Sequence, residues 1–163
     1  MPKALKPEPL TAAAFAPFGE VIETGDRQPE PINQGSTGKY ADLARLEAGP
    51  GGRLGVHIYR SAPRAGPVII RELERHVLGS QAFVPLHDRP FPLVVAAPGS
   101  EPATGDVRVF LSNGRQGINL KPGTWHHPLL GVERAADSLV IERIAAKPDC
   151  ETRTLPEHLL ISL

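Results

Sequence analysis

The chain holds one cysteine in 163 residues. Cys150 therefore has no intramolecular disulfide partner, and a zinc cluster built on several cysteines is excluded. Aromatic residues are scarce at 5%, with a single tryptophan. Neither sign of charge dominates: 18 Lys and Arg balance 18 Asp and Glu, and no segment concentrates the basic residues that a phosphate backbone requires. Nucleic acid is thus not an expected partner. The longest strictly apolar runs, residues 12–16 and 93–97, have five residues each, far short of the roughly 20 that a membrane span needs. The opening MPKALKPEPL has no apolar stretch of signal-peptide type, so a cytoplasmic protein is expected. Long helices are missing too, because 18 prolines and 16 glycines recur along the whole chain. About one residue in five is thus a turn former, against about 12% in an average protein, and each proline inside a helix costs about 3 kcal/mol.

Short runs of strand type fill the space between these turn formers. They cover residues 54–60, 68–73, 81–86, 91–96, 107–111, 117–121, 129–133 and 138–144, and several are rich in Val, Ile and Phe. Eight strands suffice for a closed barrel or jelly roll, which leaves no long edge unpaired. Helix is expected only at the ends, the first capped by Thr11 over residues 12–16 and stopped by Pro17 and Gly19. The segment 25–38, with its Gly, Pro, Asn and Asp residues, reads as a loop. With no repeat and no linker between two cores, residues 1–163 are expected to form a single domain.

Two places set histidine beside other polar groups at strand spacing. In Glu74-Arg75-His76, alternation puts Glu74 and His76 on one face and Arg75 on the other. Gln81 opens the next run, and a turn at Gly79-Ser80 can return it beside His76. In Trp125-His126-His127 only one histidine can point inward by the same alternation. Gly35-Ser-Thr-Gly38-Lys39-Tyr40 is not a phosphate loop, since the spacing of its glycines and the residue after its lysine are wrong.

The pattern Glu74-x-His76 with Gln81, followed by Gly123-Thr-Trp-His126, resembles the two metal-binding motifs of cupin barrels, with Glu and Gln in two of the four ligand positions. Longer stretches are similar to ureidoglycolate lyases: the run from Glu72 to Pro85 with its ERHVLGSQAF block, the WHHPL block up to Leu129, FAPFGEVI at 15–22, Ile32-Asn33-x-Gly35, Tyr40-x-Asp42-Leu43, Arg60 and the Gly114-x-x-Gly117 turn. Departures from that family's pattern are Ala41 for a usual His, Val77 for a usual Pro, and Glu142-Arg143-Ile144-Ala145 for Asp-Arg-Gly-Gly.

The resemblance implies an all-β, cupin-like barrel with short terminal helices and a homodimeric enzyme that splits ureidoglycolate into glyoxylate and urea. That cleavage is the collapse of a carbinolamide and needs one base and one acid. His76 and His126 are expected to supply them in an order left open, with Glu74 either orienting one imidazole or acting as the base. Gln81 and Asn33 are expected to bind the ureido group and Arg60 the carboxylate. No cofactor is expected to be obligatory; a divalent metal, Ni2+ or similar, would take Glu74, His76, Gln81 and His126. Two other functions share the barrel: a metal-dependent isomerase or dioxygenase on a small hydroxy or keto acid, and a carboxylate-binding barrel without catalysis.

Overall fold

The computed structural model describes residues 2–64, 66–99 and 101–162. In chain order the strands are β1 (Lys3–Leu5), β2 (Glu8–Pro9), β3 (Gly19–Ile22), β4 (Glu30–Ile32), β5 (Thr37–Lys39), β6 (Arg53–Ser61), β7 (Pro63–Arg64) and β8 (Val68–His76). They continue as β9 (Gln81–Pro85), β10 (Pro92–Ala96), β11 (Arg108–Leu111), β12 (Gly117–Leu120), β13 (Trp125–His126), β14 (Gly131–Val132), β15 (Ala136–Ile144) and β16 (Cys150–Ile161). One short α-helix, α1 (Ala12–Phe15), starts where the Thr11 side chain accepts a hydrogen bond from the Ala14 backbone. A seven-stranded sheet in the order β1-β16-β8-β13-β10-β11-β2 faces a five-stranded sheet in the order β3-β12-β9-β15-β6. Together they form an all-β, cupin-like half-barrel: the turn-rich composition pointed to β structure, and the resemblance implied the cupin-like barrel.

The two sheets bury a common core because each turns alternate apolar side chains inward. Val21, Phe83, Ile118, Leu120 and Val140 of the small sheet meet Leu93, Val95 and Phe110 of the large one, and α1 adds Phe15. Phe110 is fully buried and has the rings of Phe15 and Phe18 at 5.5 and 5.7 Å, both edge-on. The other face of the large sheet closes on a second cluster around Trp125, Ile70, Leu73, Leu159 and Ile161. Because the two faces carry separate cores, His126 points to the space between the sheets while its neighbour Trp125 points away from it.

Three expectations from the sequence are corrected here. The C-terminal segment is not helical: β16 runs for 12 residues along β8 and also pairs with β1 in parallel. A bulge between Thr154 and Leu159 accommodates Pro156 in the middle of that strand. The expected strand at 129–133 shrinks to Gly131–Val132, and the expected loop at 25–38 holds a hairpin, β4 paired with β5.

Removing the Phe110 ring takes out the contact of the large sheet with Phe15 of α1 and with Phe18. Phe110→Ala is expected to cost about 3–5 kcal/mol, read as a lower urea midpoint through the fluorescence of the one tryptophan, Trp125, which is fully buried.

Candidate active site

The large sheet supplies one wall of the site through strand register. His126 pairs with Glu74 across β13 and β8, and His76 pairs with Cys150 across β8 and β16. Glu74 and His76 thus face the same way as His126, and the imidazoles of His76 and His126 stack with ring centroids 5.6 Å apart. Arg75 takes the opposite face, over the ring of Trp125 at 4.4 Å and in an ion pair with Glu151 at 2.7 Å. The Pro122-Gly123 turn sets the height of His126: Gly123, at φ 85, donates its N–H to the His76 carbonyl at 2.7 Å. A side chain other than glycine rarely adopts that conformation.

The small sheet supplies the other wall. Gly79 and Ser80 carry the chain from β8 to β9, and a Cβ at Gly79 would stand 2.5 Å from the Arg143 Cβ. Ser80 Oγ accepts the Glu47 N–H at 2.7 Å, and one carboxylate oxygen of Asp149 accepts the N–H groups of Leu78 and Gly79 at 2.9 and 3.0 Å. So pinned, the turn delivers Gln81 opposite Glu142 of β15. His57 and Tyr59 of β6 complete this wall. Between the walls lies a cavity of about 460 Å³, whose rim is the 145–150 loop with Lys147 and Asp149, a volume in the range of small-molecule sites.

Each histidine has one nitrogen accounted for. His126 Nδ1 lies 3.0 Å from the Thr124 carbonyl, a contact that requires a proton on that nitrogen. His76 Nδ1 faces the other oxygen of Asp149 at 3.5 Å. The Nε2 atoms of both rings are buried without a hydrogen-bond partner; that of His126 faces Glu74 at 3.5 Å. His126 holds the Glu74 carboxyl below the usual carboxylate range against the opposing effect of burial. Burial would raise Asp149, but the two backbone N–H groups and His76 outweigh it and keep this carboxyl low as well. Cys150 lies beside Glu74 and is pushed up by burial and by the charges of Glu74 and Asp149, so it stays a neutral thiol at pH 7.

Ligand atoms of Glu74, His76 and His126 lie within 4.8 Å of one another. Two unpartnered imidazole nitrogens and a carboxylate suit a divalent ion of the Ni, Fe or Zn type, and Gln81, which lines the same cavity with its Oε1 buried without a partner, offers a fourth donor, an oxygen. The residues fit such an ion.

Of the residues singled out in the sequence, Glu74, His76 and Gln81 line the cavity, and His126 joins them through Glu74. Two others are not brought there. Arg60 lies on the face of β6 opposite His57 and Tyr59, with its Nε and one terminal nitrogen bound by Asp137 at 2.8 and 2.9 Å. Asn33 is exposed in the turn between β4 and β5, where its φ of 53 explains an asparagine. His127 turns to the Pro128 carbonyl at 2.8 Å. The sequence reading missed His57, Tyr59, Glu142, Lys147 and Asp149. The departure at residues 142–145 marked Glu142; the others sit in a strand and a loop that carry no motif.

A family model described as ureidoglycolate lyase matches residues 2–162. The chain is similar to the ureidoglycolate lyase of Azotobacter vinelandii, 51% identical over 150 residues that cover 91% of this chain and 90% of the relative. It is also similar to that of Pseudomonas aeruginosa PAO1, 48% identical over 162 residues, 98% of this chain and 96% of the relative. The enzyme of the same name from Burkholderia mallei NCTC 10229 is 45% identical over 161 residues, 98% and 94% of the two chains.

Glu74 and Asp149 are both held low in the folded chain, so the unfolded chain binds more protons in acid. Their stabilising effect is complete above the unfolded carboxylate values of about 4 and fades as pH falls through the lower folded values. Thermal midpoints are expected to rise from about pH 3 to about pH 5 and then level off, and Asp149→Asn to flatten part of that acid limb.

Proposed function

The chain belongs to the ureidoglycolate lyase family, and from that membership we infer that it is a carbon–nitrogen lyase of purine-nitrogen breakdown that converts ureidoglycolate into glyoxylate and urea. The substrate carries a hydroxyl and a ureido nitrogen on one carbon beside a carboxylate. Removing the hydroxyl proton turns that C–O bond into the aldehyde carbonyl as the C–N bond breaks, and the departing nitrogen takes up one proton. Water is not consumed, so a site that supplies one base and one acid is sufficient.

The observation that carries this reading is that two adjacent histidines are both anchored through Nδ1, which leaves two neighbouring Nε2 atoms for proton transfer. His76, with Nδ1 turned to Asp149, offers Nε2 as the base for the hydroxyl proton. His126, with its Nδ1 proton held by the Thr124 carbonyl, carries a second proton on Nε2 beside Glu74 and returns that one to the leaving nitrogen. Glu74 and Asp149 act by holding these rings, and the cycle closes when the proton passes from one imidazole to the other across the 5.6 Å stack, through product or solvent. Gln81 on the facing wall binds the ureido group. Lys147, on the rim and without an ion pair among the described residues, receives the substrate carboxylate in place of the expected Arg60. A divalent ion such as Ni2+, held by Glu74, His76, His126 and Gln81, would take the same Nε2 and Oε1 atoms and supply Lewis acidity toward substrate oxygens in place of the imidazole pair; an ion is not obligatory to the acid–base sequence.

For the homodimer that the resemblance implies, we propose β6 as the seam. β6 is the open edge of the five-stranded sheet, and the face it turns outward carries Leu54, Val56 and Ile58 at 38, 67 and 56% exposure. Two copies meeting at β6 through this outer face would cover these side chains. A cytoplasmic location fits the same metabolic role. No helix among the described residues is long and apolar enough to cross a membrane.

Incubation with racemic ureidoglycolate is expected to release urea and glyoxylate in equal amounts and no ammonia. Ammonia would indicate an amidohydrolase, and binding without turnover a carboxylate-binding barrel. His76→Ala and His126→Ala are each expected to lower kcat at least 100-fold, in line with the usual contribution of one acid or base of about 10²–10⁴; unchanged turnover in folded variants would refute the assignment. Light scattering is expected to give a dimer for the unaltered chain and a monomer for Ile58→Arg.

A further inference from the structure

The small-sheet wall is organised around one carboxylate that takes no part in the acid–base pair. Glu142 Oε2 accepts a hydrogen bond from Gln81 Nε2 at 2.6 Å. Its Oε1 accepts the Tyr59 hydroxyl and has His57 Nε2 at 3.9 Å. Tyr59 occupies one oxygen, so the carboxylate cannot rotate away from Gln81 without giving up that hydroxyl. An ionised carboxylate only accepts, so Gln81 must offer its NH2 end to it. The amide is planar, and its Oε1 therefore points away from Glu142. That oxygen is buried without a partner, on a residue only 4% exposed at the cavity wall.

We propose that Glu142 is a positioning residue that fixes the polarity of the Gln81 amide, so that the wall presents a carbonyl acceptor and selects a leaving group bearing N–H. The proposal rests on the ureidoglycolate reading and adds to it the subsite for the urea half of the substrate. Without the carboxylate, Gln81 would be free to turn either end toward the cavity, and its NH2 end would meet a ureido N–H donor to donor. Glyoxylate, the other half, carries no N–H and has no need of this acceptor.

Product inhibition separates the two halves. With urea and glyoxylate used singly as inhibitors of ureidoglycolate cleavage, Glu142→Gln is expected to raise KM and the urea inhibition constant about tenfold, the size of one lost hydrogen bond to a buried acceptor. It is expected to leave the glyoxylate constant unchanged. Unchanged KM and urea inhibition in the variant would overturn the proposal, and so would an equal weakening of both products, which marks a general loosening of the site. The exchange Gln81→Glu with Glu142→Gln keeps one carboxylate facing one amide and returns an acceptor to the cavity. It is expected to regain most of the original urea constant, and its failure to do so would also overturn the proposal. If the unaltered protein cleaves no ureidoglycolate, the functional reading fails on its own, before Glu142 is tested.

Discussion

The Asp149 carboxylate is the joint on which the site depends. One oxygen holds the backbone of Leu78 and Gly79, and the other faces His76. The first contact fixes the turn that takes the chain from the large sheet to the small one, and hence places Gln81. The second orients a histidine at the end of the strand that enters the same turn. Asp149 itself sits just before β16, which is zipped to β8 by antiparallel pairing. A change in that pairing would therefore move both walls of the cavity together. The burial that this arrangement imposes on a charged group is offset by three partners, which is why the carboxyl stays ionised.

Glu74, His76 and Gln81 were legible in the sequence because their meeting follows from two local rules, whereas His126, some 50 residues on, was joined to them by the resemblance of Gly123-Thr-Trp-His126 to a cupin motif. Side chains alternate in a strand, and glycine permits a tight return. Both rules act within about ten residues, so Glu74, His76 and Gln81 could be brought together without knowing the rest of the fold. Asp149, Lys147 and Cys150 were not legible, because their position is decided by β16, whose partner β8 lies some 75 residues away in the chain. Proline and charged residues in 150–161 argue against a strand locally. Pairing on both sides, with β8 and β1, and a bulge to absorb Pro156 override that local preference.

His57 and Tyr59 were hidden for the opposite reason. In β6 the apolar residues Leu54, Val56 and Ile58 alternate with Gly55, His57 and Tyr59. The ordinary assumption that apolar side chains face the interior turns this strand over and sends His57 and Tyr59 to solvent. The structure has the reverse: the polar set lines the cavity and the apolar set is exposed. A strand can carry this inverted pattern where its interior face borders a polar cavity and its outer face is covered by something other than its own chain. Arg60 follows from the same inversion. It shares the outer face with Ile58, which is why it pairs with Asp137 across β15 and not with a ligand.

Three carboxylates surround the cavity, and each acts mainly on a neighbour. Asp149 and Glu74 face the two histidines, and Glu142 faces Gln81. Because a carboxylate can only accept, Asp149 and Glu142 fix which end of His76 and Gln81 is left for a ligand, whereas at His126 the Thr124 carbonyl takes Nδ1 and Glu74 lies beside the remaining Nε2. At His76 and His126 the remaining atom is an imidazole nitrogen, suited to a proton or a cation. At Gln81 it is an amide oxygen, suited to an N–H group. The two walls therefore offer different things: imidazole nitrogens at the large sheet and an amide oxygen at the small one. A carbinolamide meets both conditions in a single small molecule, since its hydroxyl and its ureido nitrogen are attached to the same carbon. A plain hydroxy acid would satisfy the histidines and leave the Gln81 oxygen buried without a donor, and a plain urea would do the reverse.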